Sequence, residues 1–234
     1  MGLTELKKDL KNEANEKQAA VLQRFFKTGK GEYGEGDLFY GIKVPVQRRI
    51  AKKHIDISLE NIQELLNSPV HEERLVSLFI LIDHYSKSDD KTRESIFKFY
   101  LKNAKKINNW DLVDLSAPKI VGAHLLMKDK DILFKLAGSS NIWEKRIAIL
   151  STYTFIRNLH FETTLRLAEI LLNDKHDLIH KAVGWMLREV GNKNLKAEED
   201  FLKKFYKHMP RTMLRYAIEK FPEEKRMRYL KNKN

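Results

Sequence analysis

Trp110 and Asp114 stand four residues apart in the stretch NNWDLVDLSAPK, a spacing that sets an indole and a carboxylate on one face of a helix. A broad aromatic surface beside an acid suits a cationic or electron-poor ring, which the π face and the negative charge attract together. The chain around this pair is strongly basic, with 44 Lys and Arg against 32 Asp and Glu and a net charge of +12. Such a balance points to a polyanionic partner, nucleic acid or an anionic membrane. A carboxylate at the centre of an anion-binding protein repels the ligand, so Asp114 needs a chemical reason.

Other residues stand out by type. Trp143 and Trp185 complete the three tryptophans, and Gly184, in GWMLRE, leaves room for another backbone to approach. Arg146 in WEKRIAIL and Arg188 in WMLRE are candidates for phosphate contacts, the alternative being a solvated helix face. Cysteine is absent, which removes disulfides, thiolate nucleophiles and Cys-based metal sites and fits a reducing compartment. The eight histidines are scattered with no HExxH, so neither a metal nor a cofactor is expected. The Gly-rich stretch GKGEYGEG has no Walker pattern and no strand before it, and reads as a loop rather than a phosphate cradle.

The elements that position these side chains read as helices throughout. Five prolines and ten glycines leave long segments whose apolar residues recur at helical spacing. Leu75, Leu78, Phe79, Ile82 and Tyr85 form one such stripe, with Ser68 read as its N-cap and Pro69 as its first helical residue. Further helices are expected over Thr4 to Phe26, from near Pro45, and over Asp89 to Lys106, Trp110 to Ile120, Ser140 to Arg157 and Glu162 to Leu172. The series continues with His176 to Val190, Ala197 to Lys207 and Arg211 to Phe221. RLVSL at Arg74, DLVDL at Asp111, RIAIL at Arg146, KAVGW at Lys181 and RYAIE at Arg215 recur at the period of a helix pair with its turns. The fold expected is therefore all-α, a right-handed-type α-solenoid of HEAT-like repeats over residues 1–234 as a single domain, with a concave cleft. In the aligned column Asp114 takes the place of Ser77, Ile149, Gly184 and Ile218. Asp111, in the column of Arg74 and Arg146, reads as a structural ion-pair partner.

The start, MGLTELKKDLKNEANEK, lacks the apolar core of a signal peptide, and no apolar run approaches membrane-spanning length. A cytoplasmic protein without a membrane role is expected, because the basic residues are spread along the chain.

Taken in order, NNWDLVD, WEKRIAILSTYTFIRN, HKAVGWMLREVG and MPRTMLRYAIEKF, with GIKVPVQRR before them, resemble the AlkD-like DNA alkylation-repair glycosylases from about Phe39 to Phe221. That resemblance implies an array of HEAT-like repeats and a monofunctional glycosylase that excises N3- and N7-alkylated purines from double-stranded DNA, without metal or cofactor. It places Asp114 at the family's catalytic aspartate, Trp110 and Trp185 at its active-site tryptophans, and Arg146 and Arg188 at DNA-contacting arginines. Lys43, in GIKVP, joins the DNA-binding set at a place where relatives are expected to carry glutamine or another polar residue. A monomer that associates with the nucleoid when acting on DNA is expected. The competing reading is a non-catalytic helical-repeat scaffold that binds nucleic acid or protein through the same basic surface.

Overall fold

The computed structural model describes residues 2–231. Among them every regular element is a helix, and the only strand-like feature is an isolated bridge between Leu38 and Val70. The helices are α1 (Leu3–Asn12), α2 (Glu16–Phe25), α3 (Val44–Lys53), α4 (Leu59–Leu66), α5 (His71–Lys87), α6 (Asp90–Lys102) and α7 (Trp110–Ala117). After a π-helical turn over Pro118–Gly122 come α8 (Ala123–Leu125), α9 (Asp131–Ala137), α10 (Ile142–Arg157), α11 (Glu162–Ile170), α12 (Asp177–Lys193), α13 (Leu195–Phe205), α14 (Arg211–Ala217) and α15 (Glu223–Lys231). The all-α expectation holds, and the architecture is consistent with an α-solenoid. No helix of the described residues is long and apolar enough to cross a membrane.

The chain divides into two compact units, one up to Ser116 and one from Ala117. In the first, α5 is the centre. Leu75 through Leu81 are all buried, so this helix is covered on its whole circumference, which an amphipathic surface helix is not. It packs against α1, α3, α4 and α6. Asp89 caps α6 and Ser58 caps α4 by accepting the Thr92 and Asn61 amides. In the second unit α10 packs on α12 and α12 on α14, while α9, α11 and α13 each lie against a member of that series. The first four of the aligned pentapeptides fall on α5, α7, α10 and α12, and the fifth begins on α14 and ends in the 3-10 turn Ile218–Lys220.

Local corrections follow from tertiary contacts. The helix expected from Thr4 to Phe26 is two helices. Asn15 starts α2 by accepting the Gln18 amide on its side chain, and its own amide donates to the Tyr40 carbonyl at 2.7 Å. Gly41 makes this crossing possible: its φ is +83°, and a Cβ there would lie 2.6 Å from the Ala19 nitrogen. The helix read from Pro69 begins only at His71. Pro69 accepts the Leu38 amide and His71 donates to the Leu38 carbonyl, so Val70 is held extended beside Leu38 and the helix starts after it. Helices α4, α8, α9 and α15 lie outside the segments that the sequence marks as helical.

Candidate functional site

The first turn of α7 is fixed by its own side chains. Asn109 Oδ1 accepts the Trp110 amide and Asp111 Oδ1 accepts the Leu112 amide, each at 2.8 Å, which satisfies donors that a helix start leaves open. Asp111, Leu112 and Val113 are buried, whereas Trp110 and Asp114 are both half-buried, as the four-residue spacing requires. Ser116 is buried two residues beyond Asp114. Its hydroxyl donates to the Leu112 carbonyl, so the Tyr100 phenol donates to Ser116 Oγ at 2.7 Å. Burial holds the Tyr100 proton well above the usual phenol range, and the negative charge of Asp114 adds to that effect.

Trp110 rests on a column of rings. Its indole stacks on Phe26 with centroids 5.1 Å apart, Phe26 stacks on Phe39 at 5.2 Å, and the His71 imidazole lies 4.7 Å from Phe39 and 4.8 Å from Phe26. Phe25, 60% exposed, meets the same indole edge-on at 5.8 Å. Below the rings lies a buried set of charges. His71 Nε2 is 2.8 Å from Asp111 Oδ2, its Nδ1 is 3.5 Å from Asp37 Oδ2, and Arg74 reaches the same Asp37 oxygen at 2.5 Å. Burial alone would lower the His71 pKa, but the adjoining Asp111 charge and the acceptance of its ring N–H groups by the Asp111 and Asp37 carboxylates raise it to about 9. Asp37, despite its burial, is held below the usual carboxylate range by His71 and Arg74. Asp111 is thus the ion-pair partner expected, but its cation is His71, while Arg74 is taken by Asp37.

In the second unit Trp185 is half-buried, with Nε1 donating to Glu189 Oε1 at 3.0 Å and the Tyr153 ring centred 6.2 Å away. Gly184 does admit a close backbone: a Cβ there would fall 2.5 Å from the Tyr216 Cβ and closer still to the Met213 carbonyl oxygen. Arg188 pairs with Glu219 and lies 3.5 Å from Glu189. Arg146 is only 5% exposed and donates to the Leu178 carbonyl at 2.5 Å, a helix-to-helix tie rather than a solvated face. Trp143 belongs to the core. Lys43 is exposed in the first unit, where its carbonyl accepts the Val46 and Gln47 amides at the start of α3.

The structure brings Trp110 and Asp114 together in the first unit and places Trp185, Arg146 and Arg188 in the second. Phe25, Phe26, Phe39, His71, Tyr153 and Glu189 do not stand out in the sequence, since their partners are distant along the chain; the adjacent pair Phe25–Phe26 beside the Gly-rich loop is the one local sign. In that loop the Gly29 and Gly31 amides donate to Glu32 and Glu35. Carboxylates thus occupy the amides that a phosphate cradle would offer.

No curated protein matches the sequence. Among solved structures, one titled "Predicted DNA alkylation repair enzyme from Enterococcus faecalis" is similar at a TM-score of 0.69 and 16% identity, covering 90% of this chain and 98% of its own. The sequence profile of the DNA alkylation repair enzymes matches residues 6–221, and the chain belongs to that family.

Proposed function

We propose that this chain is a monofunctional DNA glycosylase that removes positively charged N3- and N7-alkylated purines from duplex DNA by hydrolysing the N-glycosidic bond. The observation that carries this reading is the α7 face, where a half-buried carboxylate and a half-buried indole emerge together over a rigid base of stacked rings and paired charges. Alkylation leaves the purine cationic, so the bond to C1′ is weakened and its electrons pass to a base that departs neutral. Strong general acid catalysis is unnecessary. Positive charge then develops on the sugar, where Asp114 stabilises it and orients the water that attacks C1′, the water's proton passing to the carboxylate or solvent.

Trp110 and Trp185 are assigned to contacts with the damaged nucleotide, each cation–π contact contributing roughly 0.5 to 2 kcal/mol. Arg188, Lys43 and Arg146 are assigned to the DNA backbone. Arg188 already pairs with Glu219 and Arg146 with the Leu178 carbonyl, so in this reading each guanidinium divides its N–H donors between protein and phosphate. A carboxylate in such a surface weakens ground-state binding of DNA and favours the transition state.

The test is release of free base from duplex DNA containing 7-methylguanine, measured beside the salt dependence of binding to undamaged duplex. Release above the spontaneous rate is expected, with log affinity falling against log salt by about 0.9 per phosphate neutralised. Binding without release would favour the non-catalytic scaffold, and salt-insensitive binding would remove the DNA-backbone assignments.

A further inference from the structure

The buried charges under Trp110 are more elaborate than a stable helix start requires. Two carboxylates, Asp37 and Asp111, share the described region with His71 and the guanidinium of Arg74, so a neutral imidazole would leave two buried carboxylates facing Arg74. A protonated His71 balances the cluster. The same imidazole is also a member of the ring column, 2% exposed and packed against Phe39 and Phe26, the latter carrying Trp110. His71 therefore touches both supports of the α7 start: Asp111 directly, forty residues along the chain, and Trp110 through one intervening ring.

We infer that His71, as an imidazolium clamped between Asp111 and Asp37, is a positioning residue for the reaction, fixing the α7 turn that presents Trp110 and Asp114. The inference rests on the glycosylase reading of that helix face. The side chain does not meet the substrate; it sets where the indole and carboxylate stand, and displacements of an ångström in such groups can cost on the order of 100-fold in rate. Other charged groups at the cluster are already committed: Glu72 accepts the Tyr40, Gly41 and Ile42 amides, and Glu73 accepts the Tyr40 hydroxyl. Deprotonation of His71 at alkaline pH removes one charge-assisted bond and leaves the two carboxylates facing a single cation.

The experiment uses the full chain labelled with 5-fluorotryptophan, the Trp110 fluorine resonance being assigned with Trp110→Phe. In the unsubstituted protein this resonance is expected to shift along an alkaline titration, the midpoint falling in Asp111→Asn and the transition vanishing in His71→Gln. In single-turnover base release, His71→Gln is expected to be slowed roughly 10- to 100-fold while binding to undamaged duplex stays within about twofold. A Trp110 resonance that does not move through the titration would overturn the inference, and this arm needs no variant to fold. A His71→Gln rate equal to wild type would overturn it as well. If the titration is present but the unsubstituted chain releases no base, the glycosylase reading fails and the clamp is structural only.

Discussion

Glu198 offers a direct reading of electrostatics from the fold. It is 1% exposed on α13, and one of its oxygens has no hydrogen-bond partner among the described residues. The other takes the space that a Cβ on Gly191 of α12 would fill. Burial, reinforced by the neighbouring Glu199 charge and only partly opposed by Lys225 and Arg188, raises its pKa from 4.5 to about 8. The folded state therefore keeps a proton that the unfolded chain releases, and the contribution of Glu198 to stability is fully present below about 4.5 and is lost as the pH rises toward 8. At roughly 1.4 kcal/mol per pH unit across that interval, the ceiling is on the order of 5 kcal/mol, a large share of the stability of a domain. Glu198→Gln keeps the shape and removes the titration. Urea unfolding followed by circular dichroism at pH 5, 7 and 9 should give similar midpoints for the two proteins at pH 5 and a growing advantage for the variant above it. Since the other titrating groups are common to both proteins, the difference isolates Glu198. Parallel stability curves across that range would refute the reasoning.

Two further substitutions test the packing. Gly184→Ala pushes a methyl group into the Met213 carbonyl and Tyr216 of α14, neither of which can yield without moving backbone. A loss of about 1 to 3 kcal/mol is expected in urea unfolding, and a loss under about 0.5 kcal/mol would show that the helices separate easily. Leu159 sits just past the end of α10 with φ of +64°, where the His160 amide donates to the Phe155 carbonyl. Leu159→Gly relieves a left-handed conformation that costs about 1 to 2 kcal/mol, offset in part by glycine's entropy, so a net gain near 0.5 to 1 kcal/mol is expected. A lower urea midpoint with unchanged slope would show that the leucine side chain holds something in place.

Where helices begin and end was readable in the sequence when the signal was a local cap. Asp89 before α6 and His176 before α12 stand where the sequence expects those helices to begin. It failed where tertiary contact overruled the cap: Ser68 and Pro69 carry an apparent helix start, but the pairing of Leu38 with Val70 delays the helix to His71. The break at Asn15 was hidden because Glu13 and Ala14 are good helix formers, and the Tyr40 carbonyl that draws the Asn15 amide is distant in sequence. The same limit shaped the site. Trp110 and Asp114 could be paired because their relation is a local helical spacing. The ring column and the His71 clamp could not, because periodicity along one helix carries no information about which aromatic from another element will lie on it. Arg146 adds a similar case: its bond to the Leu178 carbonyl on α12 joins residues thirty-two apart, which no spacing within α10 announces.

The central proposal, that Asp114 stabilises charge developing on the sugar, is tested most directly by single-turnover release of 7-methylguanine from duplex DNA with Asp114→Asn beside the unsubstituted chain. The amide keeps the size of the side chain and removes its charge. Release should be lost or slowed on the order of 100-fold or more, as when one electrostatic stabiliser is removed from an active site, while DNA affinity is retained or strengthened. Equal release rates for the two proteins would contradict the assignment of Asp114.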